Sequence, residues 1–351
     1  MRDPSEFISC DWGTSTFRLR WALEGGRVVA GEIRENVGVR ALCEQAQASG
    51  AANEAERGPV FEAFLREKLE RLAAGQGGLK QPVPLVISGM ASSTVGWHEL
   101  PYAPLPFHLD GRGLRHAEIE WPRPDWISNT FLISGAAHRT DIMRGEETEI
   151  LGLMAADMMK MARDECVLIL PGTHSKHIQI RNDAVVDFHT FMTGELFEVL
   201  GRHSLLRASV QVSPDGISAS RELTAEELHA FEAGVQQAKQ RGLAGGLFGV
   251  RTRSVLDHKP SNENARFLSG LLVGAELLQL EAVRSPIYVA ASGPLAQLYG
   301  AALSNIREDS GGFWCLSAEM TAHATVAGHA MFLKQALSPA RGSQDSAPSE
   351  A

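Results

Sequence analysis

The chain has 351 residues, a formal net charge of −9 and 44% hydrophobic residues. This length suggests two domains and supports a large apolar core. Because the balance is acidic and no basic run occurs, we expect no nucleic-acid partner. The lack of an 18-residue apolar run likewise predicts no membrane span.

The cysteines and the first residues indicate a compartment. The opening segment MRDPSEF lacks the apolar stretch of a signal peptide. The cysteines are too widely spaced for a metal motif or a disulfide framework, so we interpret them as buried thiols in a reducing compartment. They are Cys10, Cys43, Cys166 and Cys315. We therefore predict a cytoplasmic protein.

The N-terminal segment predicts strands over FISCDWG, TFRLRWAL and RVVAGEI, within residues 7–34. Asp11 and Gly13 lie between the first two strands, followed by three hydroxyl side chains. The hydroxyl residues are Thr14, Ser15 and Thr16. A turn rich in N–H and O–H donors is typical of a phosphate site, although an ordinary hairpin with a polar tip fits equally well. Asp11 suits a phosphate only if a cation lies between them.

The middle of the chain alternates helices and strands. Apolar spacing predicts a helix over 60–73, a strand over PVPLVISGM, a loop over 90–125 and a strand over TFLISGAA. A further helix is predicted over EETEILGLMAADMMKMARDE, and its methionines are interpreted as core filler. They are Met154, Met158 and Met161.

The second half repeats this plan. The predicted strand CVLILPGT leads into a hairpin with its turn at Asn182-Asp183. Thr224 and Glu227 form a capping-box pattern before a helix that ends at Gly242. Later segments predict a helix over ENARFLSGLLVGAELLQL, a strand–turn–helix over PIYVAASGPLAQLYGAAL, a helix over AHATVAGHAMFLKQAL and a disordered tail. Alternating strands and helices indicate an α/β protein.

A second donor-rich turn, LPGTHSK, follows the apolar strand of the second half. It contains Gly172, Thr173, His174, Ser175 and Lys176. It is not a Walker A loop, because the spacing and the following helix are missing. Two turns of this kind, one in each half, indicate two similar domains that hold one nucleotide from both sides of a cleft. A third turn, ASGPL, ends another strand, where α/β folds place ligands.

Together, DWGTSTFR, GTHSK and ASGPL resemble the phosphate-1, phosphate-2 and adenosine motifs of the actin, Hsp70 and sugar-kinase superfamily. The longer strings SGMASSTVGWHELPY, DIMRGEETEILG, LPGTHSKH, TFMTGELFEVL and FLSGLLVGAEL resemble the 2-dehydro-3-deoxygalactonokinase family. This resemblance extends in the right order from about residue 7 to residue 335. One departure is Thr94, which stands where the family pattern has an arginine.

The resemblance implies a two-domain, actin-like (ribonuclease H-like) α/β fold with a cleft between duplicated domains. The implied N-terminal domain spans 1–163 and the C-terminal domain 164–321. The helix over 322–337 could return to the first domain, and 338–351 would be a disordered tail. The implied partners are a sugar acid and ATP, and a homodimer is left open.

The resemblance also implies transfer of the ATP γ-phosphoryl group to the 6-hydroxyl of 2-dehydro-3-deoxy-D-galactonate, in galactonate catabolism. ATP and Mg²⁺ would be the cofactors, and Asp11 would hold the Mg²⁺. The phosphates would be held by Gly13, Thr14, Ser15, Gly172, Thr173, His174, Ser175 and Lys176. Adenosine would lie at Ser292, Gly293 and Pro294, with Gly270 and Gly274 either near the base or packed against another helix.

Such a transfer needs a general base near the acceptor hydroxyl. The segment RGEE at a predicted helix start offers Glu146 or Glu147, with Asp141 as the alternative. Acids in a first helical turn can instead complement the helix dipole. The substrate-binding candidates are Ser93, Trp97, Glu99, Tyr102, Arg144, Thr193 and Glu195. Trp97 could instead be packed core, and Arg144 could be an ion-pair partner.

Three other functions remain open at this point. A kinase of a related keto-deoxy sugar acid would use the same residues. An exopolyphosphatase-like phosphohydrolase would share the fold but needs a basic channel, which the net charge disfavours. A nucleotide-switched binding protein would need a peptide-binding domain, for which the tail after Ser338 is too short.

Overall fold

The structure is a computed structural model that describes residues 5–75, 81–213, 216–218, 222–307 and 312–338. The predicted disordered tail lies outside these residues, apart from Ser338. The chain divides into two compact units. Unit 1 comprises Met1–Ala137, Met143–Ala155 and Ala324–Ala351, and unit 2 comprises His138–Ile142 and Ala156–His323. The chain passes from unit 1 to unit 2 after Ala155, which lies before the domain boundary predicted between residues 163 and 164.

Unit 1 is built on a sheet of order β3-β2-β1-β4-β8-β7. Its strands and helices are β1 Glu6–Trp12, β2 Phe17–Leu23, β3 Val28–Glu35, α1 Val39–Ala48, α2 Glu54–Ala74, β4 Val83–Gly89, β5 Ala103–Pro104, β6 Phe107–His108, β7 His116–Glu118, β8 Ile127–Ile133 and α3 Glu146–Ala155. The strands β9 Ala136–His138 and β10 Asp141–Met143 lie at the change of unit.

The first two strands form the predicted antiparallel hairpin, and β1 pairs with β4 in parallel. The alternating residues of β2 face a core formed with α2. In this core the rings of Trp12 and Phe17 meet edge to face at 5.1 Å, and Phe61 and Leu65 of α2 are fully buried. Packed aromatic side chains therefore fix both ends of the first turn.

The C-terminal helix α9 (Ala318–Ala336) contributes its residues from Ala324 onward to unit 1. It packs closely on α3, because a Cβ on Gly152 would lie 1.7 Å from the carbonyl oxygen of Ala324. His329 of α9 is fully buried, with its ring nitrogens 2.8 Å from Ser9 Oγ and 3.0 Å from Ser88 Oγ. Burial lowers the pKa of His329 to about 3, so the ring is neutral.

Unit 2 has a sheet with the order β15-β14-β11-β12-β13. Its elements are β11 Glu165–Leu170, β12 Ser175–Arg181, β13 Ala184–Phe191, α4 Thr193–His203, α5 Ala225–Gly246, α6 Phe248–Val255, α7 Ser261–Leu277, β14 Ile287–Val289, α8 Gly293–Ile306 and β15 Phe313–Cys315. The predicted hairpin with its turn at Asn182-Asp183 is confirmed: β12 and β13 are antiparallel, and both turn residues have positive φ angles, of 51° and 59°. The strands β11 and β12, which flank the second donor-rich turn, are also antiparallel.

Helices α5 and α7 pack through small residues. The predicted capping box of Thr224 and Glu227 is confirmed at the start of α5, and Gly242 interrupts this helix with φ +64°. A Cβ on Gly270 would lie 1.9 Å from the carbonyl oxygen of Phe231, and one on Gly274 would lie 3.0 Å from Cα of Val235. Both glycines of α7 therefore serve helix packing.

Three details differ from the predicted elements. The helix α3 ends at Ala155, because Ala156 adopts an extended backbone. Met154 is buried, but Met158 and Met161 are 58% and 89% exposed, so the interpretation of both as core filler was wrong. Cys315 is exposed, unlike the other three cysteines.

In the part of the chain that the structure describes, no helix has the length and apolar character needed to cross a membrane.

The close packing of α5 and α7 predicts that Gly270→Ala destabilises unit 2. The added methyl group must push the two helices apart, which costs about 1–3 kcal/mol in the free energy of unfolding. Urea unfolding of both proteins measures this difference. Gly300→Ala in α8 is the matched control, because its Cβ would meet Phe313 at an ordinary 3.7 Å. Equal stability of Gly270→Ala and wild type would contradict the packing described.

Candidate active site

The first donor-rich turn joins β1 to β2. The Gly13 N–H donates to the Thr16 carbonyl at 2.9 Å and closes the turn. Ser15 and Thr16 are exposed, and Thr14 is half-buried. The predicted hydroxyl donors are therefore accessible from solvent.

The start of α1 supports this turn from behind. The Val39 N–H donates to the Gly13 carbonyl at 3.0 Å, and the Arg40 N–H donates to the Thr14 carbonyl at 3.1 Å. A Cβ on Gly38 would lie 2.4 Å from the Thr14 carbonyl oxygen, so only glycine permits this approach. Sequence reasoning missed both α1 and Gly38, although a glycine before a helix start was a usable signal.

Asp11 is the last acidic residue before the first turn. Its carboxylate lies 3.9 Å from the Arg18 guanidinium, and about a third of each side chain is exposed. Burial raises the pKa of Asp11, while Arg18 and Arg20 lower it and Glu146 raises it further. The interaction with Arg18 thus compensates only part of the free-energy cost of an ionised Asp11 carboxylate at this position.

The start of α3 brings two of the predicted catalytic acids together. Gly145 precedes the helix with φ +112°. The Arg144 N–H donates to Glu146 Oε2 at 2.9 Å, and the Gly145 N–H donates to both oxygens of Glu147 at 2.8 and 2.9 Å. Glu147 is fully buried, whereas Glu146 is half-buried. Of these two predicted acids, Glu146 is therefore the one that is accessible from outside.

Two acids of α3 have strongly raised pKa values. Burial raises the pKa of Glu147 to about 8, and the charge of Glu146 adds to this effect. Burial raises the pKa of Glu149 to about 7, with further contributions from Glu146 and Asp11. Glu146, Glu149 and Asp11 therefore form an acidic cluster in unit 1. Among the described residues, no group of three His, Cys, Asp or Glu side chains has the geometry to enclose a metal ion by itself.

Arg144 is tied into unit 1 by its guanidinium group. One of its nitrogens donates to the Ser92 carbonyl and, at 2.6 Å, to Ser92 Oγ. The guanidinium also lies 4.2 Å from the ring centroid of Tyr102. Arg144 thus joins the segment 92–102 to the helix start that carries Glu146.

The segment 92–102 contains the other predicted sugar-acid residues of unit 1. Trp97 is 3% exposed and packs edge to face on Trp121 at 5.6 Å. Ser93 is buried, and its hydroxyl donates to the Met90 carbonyl. Glu99 is exposed. Arg57 of α2 donates to the carbonyls of Thr94 and Gly96, so an arginine from another element holds the loop at Thr94.

Asp141 belongs to unit 2 and is engaged locally. Its carboxylate accepts hydrogen bonds from the N–H and the Oγ1 of Thr190, at 2.6 and 2.8 Å. The Ile142 N–H donates to it at 2.8 Å. Three donors therefore occupy this carboxylate, which gives it a structural role in the connection to β13.

The second donor-rich turn joins β11 to β12, and its residues Gly172, Thr173 and His174 are exposed. The start of α4 supports it, since the Glu195 N–H donates to the Thr173 carbonyl at 3.1 Å. A Cβ on Gly194 would lie 2.6 Å from the Gly172 carbonyl oxygen. Gly194 therefore permits the close approach of α4 to the second turn, as Gly38 permits the approach of α1 to the first turn.

The side chains around the second turn divide into an exposed pair and a buried group. His174 Nε2 lies 2.5 Å from the Glu195 carboxylate at the surface. Ser175 and Thr193 are buried, and both hydroxyls donate to the Glu276 carboxylate. Lys176 is 4% exposed, and its ammonium group donates to the His174 carbonyl. Sequence reasoning missed Glu276, an acid within an apolar helix.

The third turn follows β14. Ser292 and Gly293 are exposed, and Pro294 opens α8. Gly293 has φ +56°, and a Cβ placed there would meet no atom within 4 Å. The turn thus presents an open backbone surface at a helix start. At Gly270 and Gly274 of α7, in contrast, α5 occupies the space in which a Cβ would lie.

The raised pKa of Glu147 predicts a pH-dependent stability. A carboxyl group with a folded-state pKa of about 8 stabilises the fold below about pH 4.5, and this contribution is lost as the pH rises through 8. Glu147→Gln cannot titrate. The free energy of unfolding of wild type relative to Glu147→Gln should therefore fall between about pH 5 and pH 8, by up to about 1.4 kcal/mol per pH unit.

Urea unfolding across this pH range gives the comparison. The matched control is Glu70→Gln, an exposed acid of α2 in the same unit. It shows the effect of removing a carboxyl group that the fold does not bury. A constant difference between wild type and Glu147→Gln would contradict the described burial of this carboxyl group.

Comparisons with known proteins identify relatives of this chain. A protein from Rhizobium meliloti (strain 1021), named a probable 2-dehydro-3-deoxygalactonokinase, is 31% identical over 308 residues, which cover 85% of this chain and 89% of the relative. The 2-dehydro-3-deoxygalactonokinase of Escherichia coli (strain K12) is 29% identical over 281 residues, which cover 79% of this chain and 80% of the relative.

A solved structure and a family model agree with these relatives. The crystal structure of a candidate 2-dehydro-3-deoxygalactonokinase from Sinorhizobium meliloti superposes with a TM-score of 0.72 at 28% identity, covering 95% of this chain and 99% of that chain. The model of the family described as 2-keto-3-deoxy-galactonokinase matches residues 11–321. The resemblance seen in the sequence is confirmed, and the chain belongs to the 2-keto-3-deoxy-galactonokinase family.

Proposed function

We propose that this protein is an ATP-dependent kinase that phosphorylates the 6-hydroxyl of 2-dehydro-3-deoxy-D-galactonate, in galactonate catabolism. The observation that carries the proposal is the half-buried Glu146 at the start of α3, electrostatically coupled to Asp11 at the first donor turn. The names of the relatives supply the substrate and the reaction.

We propose Glu146 as the general base. It would take the proton of the acceptor hydroxyl while the oxygen of that hydroxyl attacks the γ-phosphorus and ADP leaves. Glu147 fits this role less well because it is buried and bound to the Gly145 N–H. Asp141 also fits it less well, because three donors already occupy its carboxylate.

The phosphates would be held by the accessible donors of each turn. In unit 1 these would be Thr14 and Ser15, because the Gly13 N–H already closes the turn, and in unit 2 they would be Gly172, Thr173 and His174. We assign Ser175 and Lys176 to support of the second turn, because both side chains are buried. Adenosine would lie on the open backbone at Ser292, Gly293 and Pro294.

Asp11 is the residue that we propose for Mg²⁺. Burial raises its pKa and the neighbouring acids add negative charge, so a cation would relieve a real electrostatic cost. Mg²⁺ commonly keeps one or two carboxylates together with waters and substrate phosphates, so a complete protein cage is not needed. The ion would neutralise charge on the phosphates during transfer.

The sugar acid would bind against the segment 92–102. Glu99 is an exposed polar side chain there, while Ser93 and Trp97 give the segment its shape. Arg144 and Tyr102, stacked on each other, would place this segment relative to Glu146. We assign Thr193 and Glu195 to support of the second turn instead of sugar contact. A cytoplasmic location and a homodimer remain predictions.

The assignment of Glu146 predicts that Glu146→Gln lowers turnover by about a hundredfold to ten-thousandfold. Coupled ADP release with 2-dehydro-3-deoxygalactonate and related sugar acids measures this. Binding of a non-hydrolysable ATP analogue should be unchanged, since Glu146 acts on the acceptor. Glu70→Gln, on the exposed face of α2, is the control and should retain full turnover.

Two results would count against the proposal separately. If the wild-type protein releases ADP only with another sugar acid, or releases phosphate from polyphosphate, the proposed substrate is wrong. Near-normal turnover of Glu146→Gln, combined with loss in Glu147→Gln or Asp141→Asn, would move the base to that residue.

A further inference from the structure

A buried carboxylate in unit 2 gathers the side chains that surround the second turn. Glu276 of α7 is 2% exposed. Its oxygens accept from Ser175 Oγ at 2.8 Å, from Tyr299 OH at 3.0 and 3.1 Å, and from the Thr193 hydroxyl. His177 Nε2 lies 2.9 Å from the same carboxylate. Ser175 and His177 lie on β12, Thr193 begins α4 and Tyr299 lies on α8.

The hydrogen bonds define the donors. The Gln279 amide nitrogen lies 3.1 Å from His177 Nδ1, and the other ring nitrogen, Nε2, faces Glu276. Burial and the charge of Glu276 raise the pKa of Tyr299 well above its usual range, which keeps its hydroxyl a donor. Four side chains therefore converge on one buried carboxyl group, which is how buried polar groups are normally satisfied.

The network reaches the second turn at its C-terminal end and at the helix start that supports it. Ser175 is the residue at which the turn passes into β12, and its side chain points inward to Glu276. Thr193 begins α4, whose next residue, Gly194, contacts the turn at the Gly172 carbonyl. A single buried carboxyl group thus fixes both the strand that leaves the turn and the helix start that supports it.

We infer that Glu276 is a positioning residue for nucleotide binding: it holds the turn from Gly172 to Ser175 in the conformation that receives ATP phosphates. This inference rests on the proposed kinase function. Glu276 is itself buried, so it would act through Ser175 and Thr193 and would not contact ATP. Binding sites depend on such supporting contacts, because a loosely held donor loses much of its contribution.

The test is Glu276→Gln, which keeps the shape of the side chain but replaces one acceptor oxygen with an NH₂ group. The NH₂ group cannot accept a hydrogen bond, so at least one of the four donors loses its acceptor and the turn loses part of its support. Calorimetry should show affinity for adenylyl imidodiphosphate with Mg²⁺ reduced by about tenfold or more. In steady-state assays, KM for ATP should rise while KM for the sugar acid stays within about twofold.

The matched control is Glu227→Gln in the same unit. Glu227 is also 2% exposed and accepts from the Thr224 N–H, but it lies at the start of α5. Its loss tests whether any altered buried carboxylate in unit 2 weakens nucleotide binding. Glu227→Gln should bind the analogue with wild-type affinity.

Ser175→Ala separates support from direct contact. If the Ser175 hydroxyl acts with Glu276, both single variants lose affinity and the double variant loses little more than either one. If Glu276→Gln binds normally while Ser175→Ala does not, the hydroxyl contacts phosphate directly and the inference is wrong. Should Glu276→Gln not fold, Thr193→Val tests the same network with the carboxylate in place, and unchanged affinity there would overturn the inference.

Analogue binding does not depend on the sugar acid, so this test stands apart from the proposed substrate. Wild type that binds the analogue but phosphorylates no sugar acid would contradict the proposed function only. Equal affinity of wild type and Glu276→Gln would contradict only the role of Glu276.

Discussion

The contact between a glycine-led helix start and a hairpin turn is the constraint on which each candidate phosphate site depends. In unit 1 the Val39 N–H reaches the Gly13 carbonyl at 3.0 Å, and in unit 2 the Glu195 N–H reaches the Thr173 carbonyl at 3.1 Å. Neither approach leaves room for a Cβ on the preceding glycine, Gly38 or Gly194. Three strands followed by a helix thus occur in both units, as β1, β2, β3 and α1 in unit 1 and as β11, β12, β13 and α4 in unit 2. In each unit the donor turn joins the first two of these strands.

The carboxyl groups near the two turns have different surroundings. In unit 2, Glu276 is buried and surrounded by donors within the protein. In unit 1, the charge of Glu146 raises the pKa of both Asp11 and Glu149, and Arg18 compensates only part of this effect. An unbalanced cluster is suited to a cation and to proton transfer, whereas a balanced one is suited to holding a structure still.

Local patterns in the sequence predicted what depends on local chemistry. Both hairpins, the capping box at Thr224 and the donor turns could be predicted, because period, turn residues and caps act over a few positions. The approach of Gly38 to the first turn and the donors around Glu276 could not, because both are contacts with segments that are distant in the sequence. Trp97 was open between sugar contact and core, and only its packing on Trp121 shows that it is buried.

The central claim is that helix starts hold the donor turns for the nucleotide. The most direct measurement is the affinity for adenylyl imidodiphosphate with Mg²⁺ in Gly38→Ala and Gly194→Ala, with Gly58→Ala as control because its Cβ would meet only Glu62, at 3.7 Å. We predict that both turn variants, once shown to be folded by circular dichroism, bind about tenfold or more weakly, while the control binds normally. Wild-type affinity in both folded turn variants would contradict the claim.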